Sequence, residues 1–240
     1  MSDPLLIIPL MGASRRFAVT GVSVPKWSLQ FGSRTMLSWA VETFTGLLDE
    51  GVVPRFVVPT EFRKTFLEVS ESLPWSSDFV MLPKGTRGQA DSVNRALRPE
   101  DRQRPLWIFN CDSRIRPGAL SRRDLTGNSL VCTSLEGDHW SFVSIDSHGC
   151  VIQVAEKTRI SGWCSTGLYC FESAADFRDA YSSTDFGAQE HYVAPVYNTL
   201  IASNRQVKMV AIDPDLFDVF GTPTELEAFC SRNGLISPLG

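Results

Sequence analysis

The chain has only three histidines, no surplus of basic residues, no cysteine pairs at metal or redox spacing and no long apolar run. Its histidines, His139, His148 and His191, show no metal-ligand spacing, and none of its six cysteines forms a CxxC pair. A zinc site is therefore not expected, and the thiols read as free groups in a reducing compartment. The longest N-terminal apolar stretch, Leu5 to Met11, is interrupted by Pro9 and preceded by Asp3. That is too short for a membrane span and lacks the basic start of a signal peptide, so a cytoplasmic protein without a membrane segment is expected. A net charge of -4 argues against a general nucleic-acid or anionic-membrane binder, while leaving room for a local basic pocket.

What is present is an ordinary globular mixture, 43% hydrophobic and 21% charged over 240 residues. A chain of this length buries roughly 70% of its unfolded surface, enough for a core without covalent staples. Disordered, collagenous and disulfide-dense classes are excluded. No repeat, linker or low-complexity segment divides it, so residues 1–240 read as one composite domain.

Short apolar runs at Leu5–Pro9, Arg55–Pro59, Phe79–Leu82, Leu106–Asn110 and Ser129–Thr133 read as buried strands. Amphipathic stretches at Thr35–Glu50, Glu61–Leu73 and Gln89–Leu97 read as helices between them. Strand–helix–strand alternation at these lengths predicts an α/β fold, Rossmann-like, with a mixed, mostly parallel sheet flanked by helices. The second half differs. Trp140–Ile145, Cys150–Ala155 and Gly167–Phe171 read as strands with a hairpin turn at Asp146–Gly149, an inserted β-section at about 136–171. Helices are expected at His191–Ser203 and Pro223–Ser231, the latter opened by a Thr222-Pro223-Thr224-Glu225 capping box.

The chemistry-bearing stretch is Ile7-Ile8-Pro9-Leu10-Met11-Gly12-Ala13-Ser14-Arg15-Arg16-Phe17, running on to Pro25-Lys26. A buried strand feeds a loop of small residues, then arginines, then a lysine. Ligands of open α/β sheets bind at strand ends, small residues let backbone N–H groups approach phosphate, and arginine supplies permanent bidentate charge. On composition alone, a plain βα turn with exposed arginines fits equally well.

The wording of these segments resembles the nucleotidyltransferases that make sugar nucleotides, the nucleotide-diphospho-sugar pyrophosphorylase family. Phe31-Gly32-Ser33-Arg34-Thr35-Met36-Leu37, Gly88-Gln89-Ala90, Asn110-Cys111-Asp112, Glu156-Lys157, Gly167-Leu168-Tyr169-Cys170-Phe171, Glu190–Pro195 and Gly221–Leu226 resemble its later motifs, in order. The resemblance implies that Leu10, Met11, Gly12, Gly88 and Gln89 contact the nucleotide, and that Arg16 and Lys26 are catalytic. It implies that Glu156, Lys157 and Gly167 face the acceptor, and that Asp112 holds Mg²⁺. The implied partners are an NTP and a small phosphorylated acceptor such as a sugar 1-phosphate, in a cytoplasmic enzyme of surface-polysaccharide biosynthesis, with a homo-oligomer left open. A cytidylyltransferase for a non-sugar phosphate shares these motifs. A glycosyltransferase would need an early D-x-D, and the one near candidate, Asp213-Pro214-Asp215, lies too late. A catalytically dead homologue is the remaining alternative.

Three departures stand out. The loop's second glycine is Ser14, and the proline usual after Pro-Lys is Trp27. The family's second metal aspartate aligns with Val219, one residue from Asp218, and a one-residue shift on a strand turns the side chain to the other face. The second ligand is therefore Asp218 with a locally shifted backbone, or Asp213, Asp215 or Glu190, or is absent.

Overall fold

The computed structural model describes residues 3–239. The chain opens with β1 (Leu5–Pro9), a one-turn helix α1 (Arg15–Ala18) and a small hairpin of β2 (Gln30–Phe31) and β3 (Arg34–Thr35). Helices α2 (Met36–Val41) and α3 (Thr45–Asp49) lead to β4 (Arg55–Pro59), and α4 (Arg63–Ser70) leads to β5 (Asp78–Leu82). Helix α5 (Gln89–Ala96) returns the chain to β6 (Leu106–Phe109), followed by β7 (Ser113–Ile115) and β8 (Ser129–Thr133). A hairpin of β9 (Ser141–Ile145) and β10 (Val151–Glu156) precedes the long β11 (Trp163–Phe171). Then come α6 (Ala174–Ser183), α7 (Val196–Ala202), β12 (Lys208–Ala211), β13 (Phe217–Val219) and α8 (Pro223–Arg232).

The principal sheet runs β10-β9-β11-β6-β1-β4-β5. Its β6-β1-β4-β5 portion is parallel, and β11 joins it antiparallel, pairing β6 through Leu168–Phe171 and β9 through Trp163 and Cys164, with β8 and beyond it β12 paired along β11 from Cys164 to Cys170. Helices cover both faces, as a buried parallel sheet requires. Strand alternation sorts the side chains. Leu5, Ile7, Val57, Leu106 and Ile108 pack under α5, α6 and α7, whereas Leu6, Ile8, Phe56, Val58, Trp107 and Phe109 pack under α2, α3 and α4. A third, smaller core joins Phe17 of α1 to Phe31, Phe220, Phe229 and Leu226, so α8 supports the loop that follows β1.

Several elements differ from the sequence pattern. The helix expected over Thr35–Glu50 is broken by a 3₁₀ turn at Glu42–Phe44. No proline forces this break. The Glu42 carboxylate pairs with Arg34 and Arg114, and the Thr43 hydroxyl accepts the Ile115 N–H, so long-range partners hold the turn. The helix expected from Glu61 is 3₁₀ at Thr60–Phe62 before α4 begins. The helix expected from His191 begins only at Val196, after Pro195. Strand β11 starts four residues earlier than its apolar run, because Trp163 and Cys164 pair with β9 across the polar Ser165-Thr166 stretch. Helix α6 and strands β12 and β13 were not expected. The capping box at α8 is present in both directions, with the Thr222 hydroxyl accepting from Glu225 N–H and the Glu225 carboxylate accepting from Thr222 N–H.

Candidate active site

The carboxyl ends of the parallel strands and the β9–β10 hairpin enclose a cleft of about 650 Å³. This is the position at which open α/β sheets bind ligands. Its first wall is the loop after β1, where Met11, Gly12, Ala13, Ser14, Arg15 and Arg16 all face the cleft. Ser14 sits at φ 52°, ψ 27°, the left-handed region that costs a non-glycine residue about 1 kcal/mol. Its hydroxyl accepts the Lys26 backbone N–H at 3.0 Å, so the strained residue ties the loop to the lysine segment.

At the floor, Lys26 Nζ meets Asp112 Oδ2 at 2.5 Å. Burial favours the neutral amine, but the neighbouring Asp112 carboxylate outweighs it and holds the Lys26 pKa above the ordinary lysine value. The lysine is therefore a fixed cation on the cleft floor. Trp27 beside it is buried, edge-on to Phe62 and Phe66, so here a large aromatic anchors the backbone where a proline is usual.

The second wall is backbone. Gly88 has φ +145°, and a Cβ there would lie 2.7 Å from the His191 nitrogen. Gln89 opens α5, and its amide donates to Asn110 Oδ1 at 2.5 Å. Asn110 in turn lies against Gly167, where φ is +84° and a Cβ would meet Asn110 Nδ2 at 2.5 Å. Glycine at 88 and at 167 lets the start of α5 and the middle of β11 close on the Gln89–Asn110 pair past the end of β6.

The opposite end is walled by long side chains from the hairpin. Glu156 ends β10 and accepts the Ser141 hydroxyl at 2.5 Å. Burial raises its carboxyl pKa, and the Ser141 and Lys157 contacts oppose this only in part. Lys157 donates to the Tyr192 hydroxyl at 2.6 Å and lies 4.5 Å above that ring. The Tyr192 contact, against burial, raises the Lys157 pKa. Trp140, its ring centre 4.1 Å from that of His139 in a tilted contact, and Glu190 complete this end. Asn198 of α7 grips β10 from behind, accepting from Val154 N–H and donating to Val154 carbonyl.

No protein-family sequence model matches this chain, and no curated protein sequence does. Among solved structures it superposes on the nucleoside-diphosphate-sugar pyrophosphorylase of Vibrio cholerae RC9 with TM-score 0.82 and 26% identity, over 95% of this chain and 100% of that one. The inositol-1-phosphate CTP transferase of T. maritima superposes at TM-score 0.77 and 17% identity, over 97% and 95%. The chain has the nucleotidyltransferase fold.

On that fold, Met11, Gly12, Arg16, Lys26, Gly88, Gln89, Asp112, Glu156, Lys157 and Gly167 share one cleft. Two of the sequence-based expectations need correction. Leu10 is buried in the core with Leu6 and Ile8, because it continues their strand face, so only its backbone is near the loop. Asp218 is buried away from the cleft. Its carboxylate binds the Arg114 guanidinium at 2.6 Å, with Arg116 and Arg232 farther out, while its neighbours Phe217 and Val219 line the cleft. Strand β13 pairs Asp218 with Arg114 of β7 and alternation does the rest. Asp213 and Asp215 lie in an exposed turn outside the cleft, while Glu190 lines its far end.

Mg²⁺ usually takes one or two carboxylates and completes its shell with water and substrate phosphates. Asp112, half-buried at the cleft floor, supplies one such carboxylate. Among the described residues no group of three or more His, Cys, Asp or Glu side chains converges. The donor set thus fits an ion shared with phosphates and does not form a protein cage. Ser14, Asn110, Trp140 and Tyr192 joined the cleft without being expected as site residues. Ser14 and Asn110 stood inside quoted motifs, but nothing in their residue type distinguished them from turn residues. No helix among the described residues is long and apolar enough to cross a membrane.

Proposed function

We propose that this protein is a Mg²⁺-dependent nucleotidyltransferase that moves an NMP group from an NTP to a phosphorylated acceptor, a sugar 1-phosphate, releasing pyrophosphate. The observation that carries this reading is one cleft holding an arginine loop, a Lys26–Asp112 pair and, at its far end, Glu156 and Lys157 at the open end of the β9–β10 hairpin. The structural likeness to a nucleoside-diphosphate-sugar pyrophosphorylase supports it.

An acceptor phosphate oxygen attacks the α-phosphorus, a P–O bond forms, and the bond to the bridging oxygen breaks as pyrophosphate leaves. No enzyme nucleophile is required, because such transfers rest on positioning and charge neutralisation. Arg15 and Arg16, both exposed at the cleft rim, bind the triphosphate tail. Lys26, held as a cation, stabilises charge that grows on the transferred phosphoryl group. Asp112 orients Lys26 and would offer a carboxylate oxygen to Mg²⁺, which would supply Lewis-acid neutralisation of phosphate charge. Gln89 reads the base edge from the Gly88 loop, and Glu156 and Lys157 orient the acceptor, the carboxylate to hydroxyls and the ammonium to phosphate.

The test is a screen of each NTP against sugar 1-phosphates and other phospho-alcohols, reading pyrophosphate. Release with at least one pair, dependent on a divalent ion, is the expected result. No release with any pair overturns the reading.

A further inference from the structure

Beside the Gly88 wall lies a buried carboxylate with exposed arginine partners that the proposed chemistry does not use. Asp91, on α5, is buried and accepts four contacts. They are the Arg87 backbone N–H at 2.9 Å, the Arg87 guanidinium at 3.1 Å, the Tyr181 hydroxyl at 2.9 Å and Arg95 at 2.9 Å. Burial would raise its carboxyl pKa, but these donors outweigh it and bring it down to about 2. Tyr181 also accepts from Arg87 and lies 3.0 Å from His191 Nδ1. With its one proton given to Asp91, the hydroxyl must accept from His191, which assigns the imidazole proton to Nδ1. His191 itself stacks on Phe186 with ring centres 4.0 Å apart.

The backbone completes the link. His191 N–H donates to the Arg87 carbonyl at 2.9 Å, and Ala90 N–H donates to the His191 carbonyl at 2.8 Å. These two bonds straddle Gly88, which is pressed against His191 with no room for a Cβ. The segment carrying Gly88 and Gln89 is thereby joined to the segment carrying Glu190 and Tyr192, the latter holding Lys157. One buried carboxylate fixes both segments, which meet where Gly88 packs on His191.

We propose that Asp91 is a positioning residue that, through Arg87 on one side and Tyr181 and His191 on the other, sets the nucleotide-reading loop and the acceptor-side segment as a single wall. Nucleotide and acceptor binding then depend on the same carboxylate, although it touches neither substrate. The kinetic part of this inference rests on the nucleotidyltransferase reading. The structural part does not.

Two variants separate the branches. Asp91→Asn removes the charge that holds both, and Tyr181→Phe removes only the hydroxyl that reaches His191. Amide hydrogen exchange, which needs no substrate, should speed up at Arg87, Ala90 and His191 in Asp91→Asn. In Tyr181→Phe it should speed up at His191 and Tyr192 and remain slow at Arg87. With a substrate pair from the screen, Asp91→Asn should raise KM for both NTP and acceptor by about tenfold, with kcat changed far less. Tyr181→Phe should raise KM for the acceptor and leave that for the NTP near wild type. A defect that is merely structural would lower the active fraction and kcat together, with both KM values unchanged. Unchanged exchange at both segments in Asp91→Asn overturns the inference, as does a rise in only one KM. If Asp91→Asn does not fold, Tyr181→Phe decides alone, and unaltered His191 exchange in it is the overturning result. If exchange responds as expected but no substrate pair reacts, the functional reading has failed and the positioning role stands.

Discussion

The two ends of the cleft are built differently. The end proposed for the nucleotide is main chain: the loop after β1, the Gly88 turn and the Gly167 strand position, with Gln89 and Asn110 clasped between them. The end proposed for the acceptor is side chain: Glu156, Lys157, Trp140, Glu190 and Tyr192, projected from the open end of the β9–β10 hairpin and a coil segment. Backbone donors cannot be exchanged by substitution, whereas long side chains can be swapped without moving the chain. The first end suits a ligand part that never changes, a nucleoside triphosphate. The second suits a part that varies between enzymes of one fold. Between them sits the Lys26–Asp112 pair, which belongs to neither end.

Substitutions at the floor should have the largest effect. Lys26→Ala is expected to lower kcat by roughly 10²- to 10³-fold with an unchanged circular-dichroism spectrum, the scale of losing one preorganised charge donor. Turnover near wild type would remove Lys26 from the mechanism. Next comes the contrast between two aspartates. Asp218→Asn should cost about 3 kcal/mol of stability, because Arg114 is left buried beside a neutral amide, while kcat per folded molecule holds. Asp112→Asn should do the reverse, losing activity with little change in denaturation midpoint. Equal loss of activity in the two would mean that Asp218 reaches the cleft in solution.

The glycine wall offers the third test. Gly167→Ala should destabilise by about 2 kcal/mol and raise KM for the NTP, since a Cβ displaces Asn110 and with it Gln89. An unaltered KM would show that the Gln89–Asn110 pair does not read the nucleotide. A smaller effect is acid stability. The carboxyl of Asp91 has its folded pKa near 2, below the ordinary 3.8, so its contribution is complete above about pH 4. It is lost as pH falls toward 2, and with exposed arginine partners it amounts to about 1 to 2 kcal/mol. Asp91→Asn should flatten that part of the stability curve, which acid titration by fluorescence would read. The smallest effect belongs to the acceptor end. Lys157→Ala should raise KM for the acceptor about threefold, as expected for one exposed ammonium, and leave KM for the NTP alone.

Much of this was legible in the sequence, for local reasons. The loop after β1 and Asp112 past β6 lie at strand ends, where the chain's own order sets their place, and Lys26 follows that loop at the start of a 3₁₀ turn. Strand parity even separated Val219 from Asp218, since neighbours on a strand face opposite ways. The same parity should have withdrawn Leu10, which continues the Leu6 and Ile8 face into the core. What the sequence obscured was anything held by distant partners. The break at Glu42–Phe44 exists for Arg114 and Ile115, more than 70 positions away, and carries no local helix breaker.

Apolar periodicity and turn chemistry by themselves determined the alternating strands and helices, the two-faced core and the positions of the motif loops. Those are properties of neighbours in the chain, and burial of one face at a time is enough to impose them. Only the tertiary structure decided that Ser14 would hold a left-handed conformation to grip Lys26, and that Asp218 would neutralise Arg114 and not face Asp112. It also decided that the segment at His191 would close over Gly88. Each of these is a contact between segments far apart in the chain, and its geometry is fixed by packing against both cores, which no local pattern encodes.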